Sequence, residues 1–223
     1  MLPPIIKQMR KDSLRLVFRG SILRLCFTVL LTFLFVGSLF ISNPNPTLPI
    51  VLGLATAGCW SIFIVCGAKA LNGKYQQNFY KLYSTAPDPE AFSEKISELY
   101  STQPVGSMWL DPEYLIYESG FAIDVIETSR IIWAYTKQVD RYAYGMKLRN
   151  DSYCSINLRT LQETKIEIPM SEDFYCERVL KFFQHNLPHI VLGYSDQLLS
   201  LYDNRFREFC ELSRRNAASR NPQ

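Results

Sequence analysis

What the chain lacks narrows its chemistry first. It has only two histidines, His185 and His189, and neither has a cysteine beside it. None of the six cysteines (Cys26, Cys59, Cys66, Cys154, Cys176, Cys210) forms a C-x-x-C pair. Zinc frameworks and secreted disulfide scaffolds both need clustered thiols or ligands, so neither is expected; reduced thiols in a cytosolic compartment are. There is no Gly-rich phosphate loop, no H-E-x-x-H and no G-x-S-x-G. The signatures of P-loop nucleotide chemistry, zinc proteolysis and α/β-hydrolase catalysis are therefore missing. The most informative absence is of charge: from Leu25 to Ala68 no side chain is ionised.

That gap makes whole-chain averages misleading. Charged residues are 20% of the chain, an ordinary soluble value, yet the apolar content is gathered into one block. Residues 1–74 carry eight Lys and Arg (Lys7, Arg10, Lys11, Arg15, Arg19, Arg24, Lys69, Lys74) against the single acid Asp12, net +7. The rest carries 16 basic and 20 acidic side chains, net −4. Basic residues thus border the apolar block while the remainder is mildly acidic, which argues against nucleic acid as a partner.

Residues 25–42 form an uncharged run of 18, extended by Ile22 and Leu23 past Arg24, whose long stem can reach the headgroups. Residues 48–68 form a second run of 21. At about 1.5 Å per helical residue each covers the roughly 30 Å hydrocarbon core of a bilayer. Between them, Ser42-Asn43-Pro44-Asn45-Pro46-Thr47 is an uncharged turn with two helix-stopping prolines. Two spans so closely joined must be antiparallel. Six basic residues precede the first span, Lys69, Lys74 and Lys81 follow the second, and the turn has none, so both termini are expected in the cytoplasm. Ile-Ser-Asn-Pro is a poor signal-peptide cleavage site. Gly53 and Ala57, four residues apart in the second span, make a candidate helix-packing face. Neither span holds a buried acid, base or histidine on which a proton or ion path would run. The first 24 residues have the pattern of a basic amphipathic helix suited to anionic lipid.

Beyond the spans the period changes. After an aromatic stem from Tyr75 to Tyr83, Asp88 is a natural N-cap with Pro89 as first helical residue, and Phe92, Ile96 and Leu99 form the apolar stripe. Thr102 to Asp111 reads as a loop. Six short β-branched and aromatic segments follow: 114–117, 121–126, 131–135, 142–148, 153–158 and 165–168. Glu118-Ser119-Gly120, Asp140-Arg141 and Asn150-Asp151-Ser152 read as turns between them. This pattern predicts an antiparallel meander, bent or partly closed. Ser171 is the expected N-cap of a helix with stripe Cys176, Val179, Leu180, Phe183 and Leu187, ended by Pro188. Ser195 caps a second helix with stripe Leu198, Leu199, Tyr202, Phe206 and Phe209. The fold class is α+β: a two-helix transmembrane hairpin, then a partly open antiparallel β-barrel or meander with C-terminal helices. The expected divisions are a basic segment 1–24, the hairpin 25–71 (spans about 22–42 and 48–70), a helical stem 75–103, a folded domain 104–215 and a disordered tail 216–223.

A meander closed by a C-terminal helix is the arrangement of pleckstrin-homology-like (PH-like) domains. The run Arg130-Ile-Ile-Trp-Ala-Tyr135, then Pro188-His-Ile-Val-Leu-Gly-Tyr-Ser-Asp-Gln-Leu198 and Asn204-Arg-Phe-Arg-Glu-Phe209, resembles a family of uncharacterised bacterial two-pass membrane proteins with a cytoplasmic PH-like domain. The resemblance covers about residues 20–212 and carries no catalytic or binding residues with it.

Catalysis is not expected: His185 and His189 flank Pro188 without a partner, Glu172 and Asp173 suit a helix N-terminus, and the cysteines lack an activating base. No metal and no cofactor is implied. Phosphoinositide-binding PH domains carry cations around the first strand turn, whereas here Glu118-Ser119-Gly120 is flanked by Asp111, Glu113 and Asp124, which would repel an anionic headgroup. The expected role is a membrane-anchored interaction or scaffold module in the inner membrane, its partners the bilayer and either another protein or a second copy. Candidate contact residues are Trp133, Tyr135, Tyr142, Tyr144 and Tyr194, with Trp109 beside them; aromatics more often serve cores. The alternative is a small-molecule-sensing or enzymatic protein with a pocket in the cytoplasmic domain.

Overall fold

The computed structural model describes residues 3–19, 22–39, 47–143 and 146–220; the side chains of 22–25, 27, 139–153 and 220 also lie outside the described residues. The chain forms two compact units, one of residues 1–77 with 121–123 and one of 78–120 with 124–223.

The first unit is helical. In α1 (Pro4–Arg19), Pro4 supplies a φ suited to the first turn, and Ile5, Ile6, Met9, Ser13 and Val17 line one buried face. α2 (Ile22–Leu39) and α3 (Thr47–Leu71) are apolar around their whole circumference. They touch at Gly53, where an added Cβ would lie 3.1 Å from the Phe35 ring, and at Trp60, whose Nε1 donates to Thr32 Oγ1 at 3.3 Å. α1 packs on α3, and just beyond α3 the Gln76 carboxamide donates to Ser13 Oγ at 2.9 Å.

The second unit opens with α4 (Gln77–Thr85) and α5 (Pro89–Ser101). Asp88 caps α5 as its position predicts, accepting from the Glu90 and Ala91 amides at 3.0 Å each, and Phe92, Ile96 and Leu99 are buried. A three-stranded sheet, β1 (Met108–Leu110), β2 (Tyr114–Ser119) and β3 (Ala122–Glu127), follows in sequence order. A second sheet holds β4 (Ile131–Ala143), β5 (Met146–Thr160), β6 (Lys165–Pro169) and the short β7 (Val191–Leu192), in the order β6-β5-β4-β7, with β7 parallel to β4. The two sheets are joined at Ser119, whose hydroxyl donates to the Glu167 carbonyl at 2.7 Å. Among the described residues no closed barrel forms.

Several sequence expectations change here. β1 lies in the stretch read as loop: the backbone of Val105 and Met108 bonds reciprocally, and Trp109 pairs with Ile116. Asp140-Arg141 and Asn150-Asp151-Ser152 are not turns but lie within β4 and β5, where Asp140 pairs with Ser152. The segment 142–148 is therefore not one strand: it is shared by the facing ends of β4 and β5, with Ala143 opposite Met146. Strand preference depends on cross-strand context more than on composition, so the polar residues misled.

Helix α6 (Asp173–Asn186) begins after Glu172, not at a Ser171 cap. The last predicted helix is two, α7 (Asp196–Asn204) and α8 (Phe206–Arg220), separated at Arg205. Ser195 caps α7 through the Leu198 amide at 3.1 Å, and α8 extends helix to Arg220. The break lets Tyr202 and Phe209 both reach the Trp133 ring, at 5.7 and 5.3 Å between centroids. One core, including Ile156, Ile168, Val179 and Phe183, lies under α6; the other gathers Trp133, Tyr135, Val191, Tyr202 and Phe209 under α7 and α8.

Candidate functional site

The residues singled out from the sequence meet different fates. Trp133 is fully buried, its Nε1 donating to the Gly193 carbonyl at 2.7 Å, and Tyr135 is buried 4.6 Å from it. Both belong to the packing of β4 against the C-terminal helices. Tyr194 is 52% exposed and donates its hydroxyl to Asp196 at 3.1 Å. The Tyr142 side chain and the whole of Tyr144 lie outside the described residues. Trp109 is half-buried, 4.8 Å from Tyr100. In α3, Gly53 faces Phe35 while Ala57 is exposed.

The largest unusual surface is that of α2 and α3. Phe33 is 71% exposed, Leu54 70% and Ile64 67%, and apolar neighbours along both helices are open as well. Soluble monomers rarely leave a large apolar surface exposed. Among the described residues, α3 alone is long and apolar enough to cross a membrane; the apolar stretch of α2, Thr28–Leu39, is shorter.

In the second unit the sequence reading overlooked the part that Asp124 plays. Its carboxylate is buried on β3 and accepts the Asn78 and Phe79 amides at 3.1 and 3.0 Å and the Val125 amide at 2.9 Å. The first two belong to the opening turn of α4, where backbone donors are otherwise unpaired. Burial pushes its pKa up to about 6 despite those donors. Beside it the Asn78 carboxamide donates to the Tyr117 hydroxyl at 3.4 Å, and burial raises the Tyr117 phenol. The available signal was a lone acid inside the apolar run Phe121-Ala-Ile-Asp-Val-Ile126.

Cavities also lie elsewhere in this unit. One of about 390 Å³ is open to solvent and lined by Glu113, Tyr114, Thr128, Ser129, Asn186 and His189. A second, of about 290 Å³, lies on the other side of His189 against Ile132, Leu161, Cys210 and Arg214. Several polar groups here have partners: Lys95 pairs with Glu113, Arg130 with Glu127, and His189 Nε2 sits 3.1 Å from the Thr128 carbonyl. Cys154 and Cys176 are buried thiols in one core, and burial raises Cys176, which disfavours its thiolate. Among the described residues no group of three or more His, Cys, Asp or Glu is placed to hold a metal ion.

Comparison with known proteins gives one match: the model of a domain of unknown function, DUF6709, fits residues 73–202, more than half the chain and nearly all of α4 through α7. No curated protein and no solved structure matches. No enzymatic family is among the findings.

Proposed function

Because this chain belongs to the DUF6709 family, we propose, for the whole of it, a role as a membrane-anchored interaction module with no catalysis of its own. In this reading α2 and α3 cross the inner membrane of a bacterial cell as an antiparallel pair, and the second unit works in the cytoplasm on a protein partner or a second copy. One observation carries it: many apolar side chains of α2 and α3 are exposed, a surface suited to bilayer. The contacts Thr32–Trp60 and Phe35–Gly53 run in opposite order along the two helices, which supports the hairpin. The cations Arg19, Lys69 and Lys74 lie at the end where α2 begins and α3 stops, which supports cytoplasmic termini. A PH-like reading of the second unit draws support from its two successive meanders, β1-β2-β3 and β4-β5-β6, followed directly by α6.

A module is favoured over an enzyme or sensor because Glu113, Glu127 and His189, titratable groups of the larger cavity, are already engaged within the fold. The test has two parts. The chain should stay with membranes through an alkaline wash, and a fluorescent protein fused after Gln223 should light up while alkaline phosphatase at the same place stays inactive. Release by alkali, or the reverse pattern of reporters, ends the anchor reading. Crosslinking in native membranes should then recover a partner protein or a dimer; recovery of neither at native expression ends the module reading.

A further inference from the structure

The amphipathic helix at the start of the chain does not use its two faces as a membrane-surface helix would. A helix that lies in the interface buries its apolar side among lipid chains. In α1 that side is already taken: Ile5 and Val17 are 2% exposed, Ile6 and Met9 not at all, and the helix packs on α3. The opposite face is what the surroundings meet. Lys7, Lys11, Arg15 and Arg19 are all exposed and recur every fourth residue. At 100° per residue they occupy about a third of the circumference, in a stripe roughly 18 Å long. Asp12, the one acid on the helix, pairs with Arg15 at 2.9 Å; Lys7, Lys11 and Arg19 have no ion pair among the described residues. Phe18, 54% exposed, falls within the same stripe one residue before α1 ends.

We propose that this face of α1 is a binding surface for acidic phospholipid, with Lys7, Lys11, Arg15 and Arg19 on the headgroup phosphates and Phe18 at the level of the acyl boundary. The proposal rests on the anchored reading above and adds a partner to it. Lipid is the source of phosphate that the fold favours, because α1 is held where headgroups are. Two residues separate it from α2, and the Gln76–Ser13 hydrogen bond ties its middle to the segment just past α3, near exposed Lys69 and Lys74. Since the spans already secure the protein, the stripe would not recruit it. It would choose which lipids surround it.

The experiment compares spin-labelled phosphatidylglycerol with spin-labelled phosphatidylcholine around the full-length protein in proteoliposomes, reading the motionally restricted lipid of each kind. The wild type should restrict phosphatidylglycerol several-fold in preference at low salt, with most of that lost in 1 M NaCl, as screening requires. Each cation near an anionic surface contributes about fivefold to association, so the variant with Lys7, Lys11, Arg15 and Arg19 all changed to Gln should lose most of the preference. It keeps the buried face that holds α1. Changing Lys181, Arg205, Arg207 and Arg215 to Gln removes the same charge elsewhere and should leave the preference intact. Equal restriction of both lipids by the wild type, or an undiminished preference in the α1 variant, overturns the proposal while leaving the anchor standing. An equal loss in both variants also overturns it, since net charge would then suffice. If neither lipid is restricted, the anchor reading fails and takes the proposal with it.

Discussion

At position 106 a side chain has nowhere to go. Gly106 has φ +62, and a Cβ built there would lie 2.7 Å from Met170 Sδ and 3.2 Å from Tyr175 Cβ. Gly120, in the turn between β2 and β3, has the same φ, but nothing lies within 4 Å of its added Cβ. The pair separates two costs that usually occur together. Gly120→Ala should lose only the left-handed backbone preference, about 1 kcal/mol. Gly106→Ala adds a collision with the side chain that precedes α6 and the first turn of that helix, and should lose roughly 2–4 kcal/mol in all. Denaturant unfolding of the full chain in detergent micelles, followed by tryptophan emission, checks the difference. Equal losses would mean that Met170 and Tyr175 yield freely, and that the turn before β1 does not pin α6.

Among the elements, α4 depends most on a residue distant in sequence. Its first backbone donors end on the Asp124 carboxylate, so the helix is capped from a strand and not from its own flank. The folded-state pKa of about 6 lies above the ordinary carboxylate value near 3.8. The folded state therefore binds the proton more tightly than the unfolded state does. The resulting stabilisation is complete below about pH 4, declines as pH rises through 6 and is gone at 7, a swing on the order of 3 kcal/mol. Asp124→Asn keeps an oxygen to accept from α4 but does not titrate. Between pH 4 and 7 its urea midpoint should lack the decline seen in the wild type; matching slopes would show that the carboxylate does not carry the effect. A cap of this kind cannot be read from local sequence, since position 124 is 46 residues from Asn78. The cap of α5 was legible because Asp88 and Pro89 sit next to the helix they start. The same division holds across the domain. Buried stripes such as Phe92, Ile96 and Leu99 follow from spacing alone. The length of β4 and β5 depends on cross-strand pairing of polar residues, which no local pattern signals. Trp133 and Tyr135 look like contact residues in one dimension, and become core only when Arg205 divides α7 from α8.

At the scale of the whole chain, the proposed anchoring makes the two compact units depend on different solvents. The second unit is held by cores around Phe183 and Trp133 that exist because water expels them. The first exposes apolar side chains along α2 and α3, and in the proposed lipid environment its helical hydrogen bonds would have no competing donor or acceptor. Heat and denaturant weaken the first kind of structure more than the second. With Trp60 and Trp109 changed to Phe, Trp133 becomes the only tryptophan and reports the second unit alone. On heating in micelles its emission should shift in one cooperative step, while a large share of the far-ultraviolet helical signal, that of α2 and α3, survives to higher temperature. A single transition shared by both signals would contradict this. It would mean that the helical pair draws its stability from the same water-driven packing as the domain, and that its apolar exterior has no lipid-like environment to favour it.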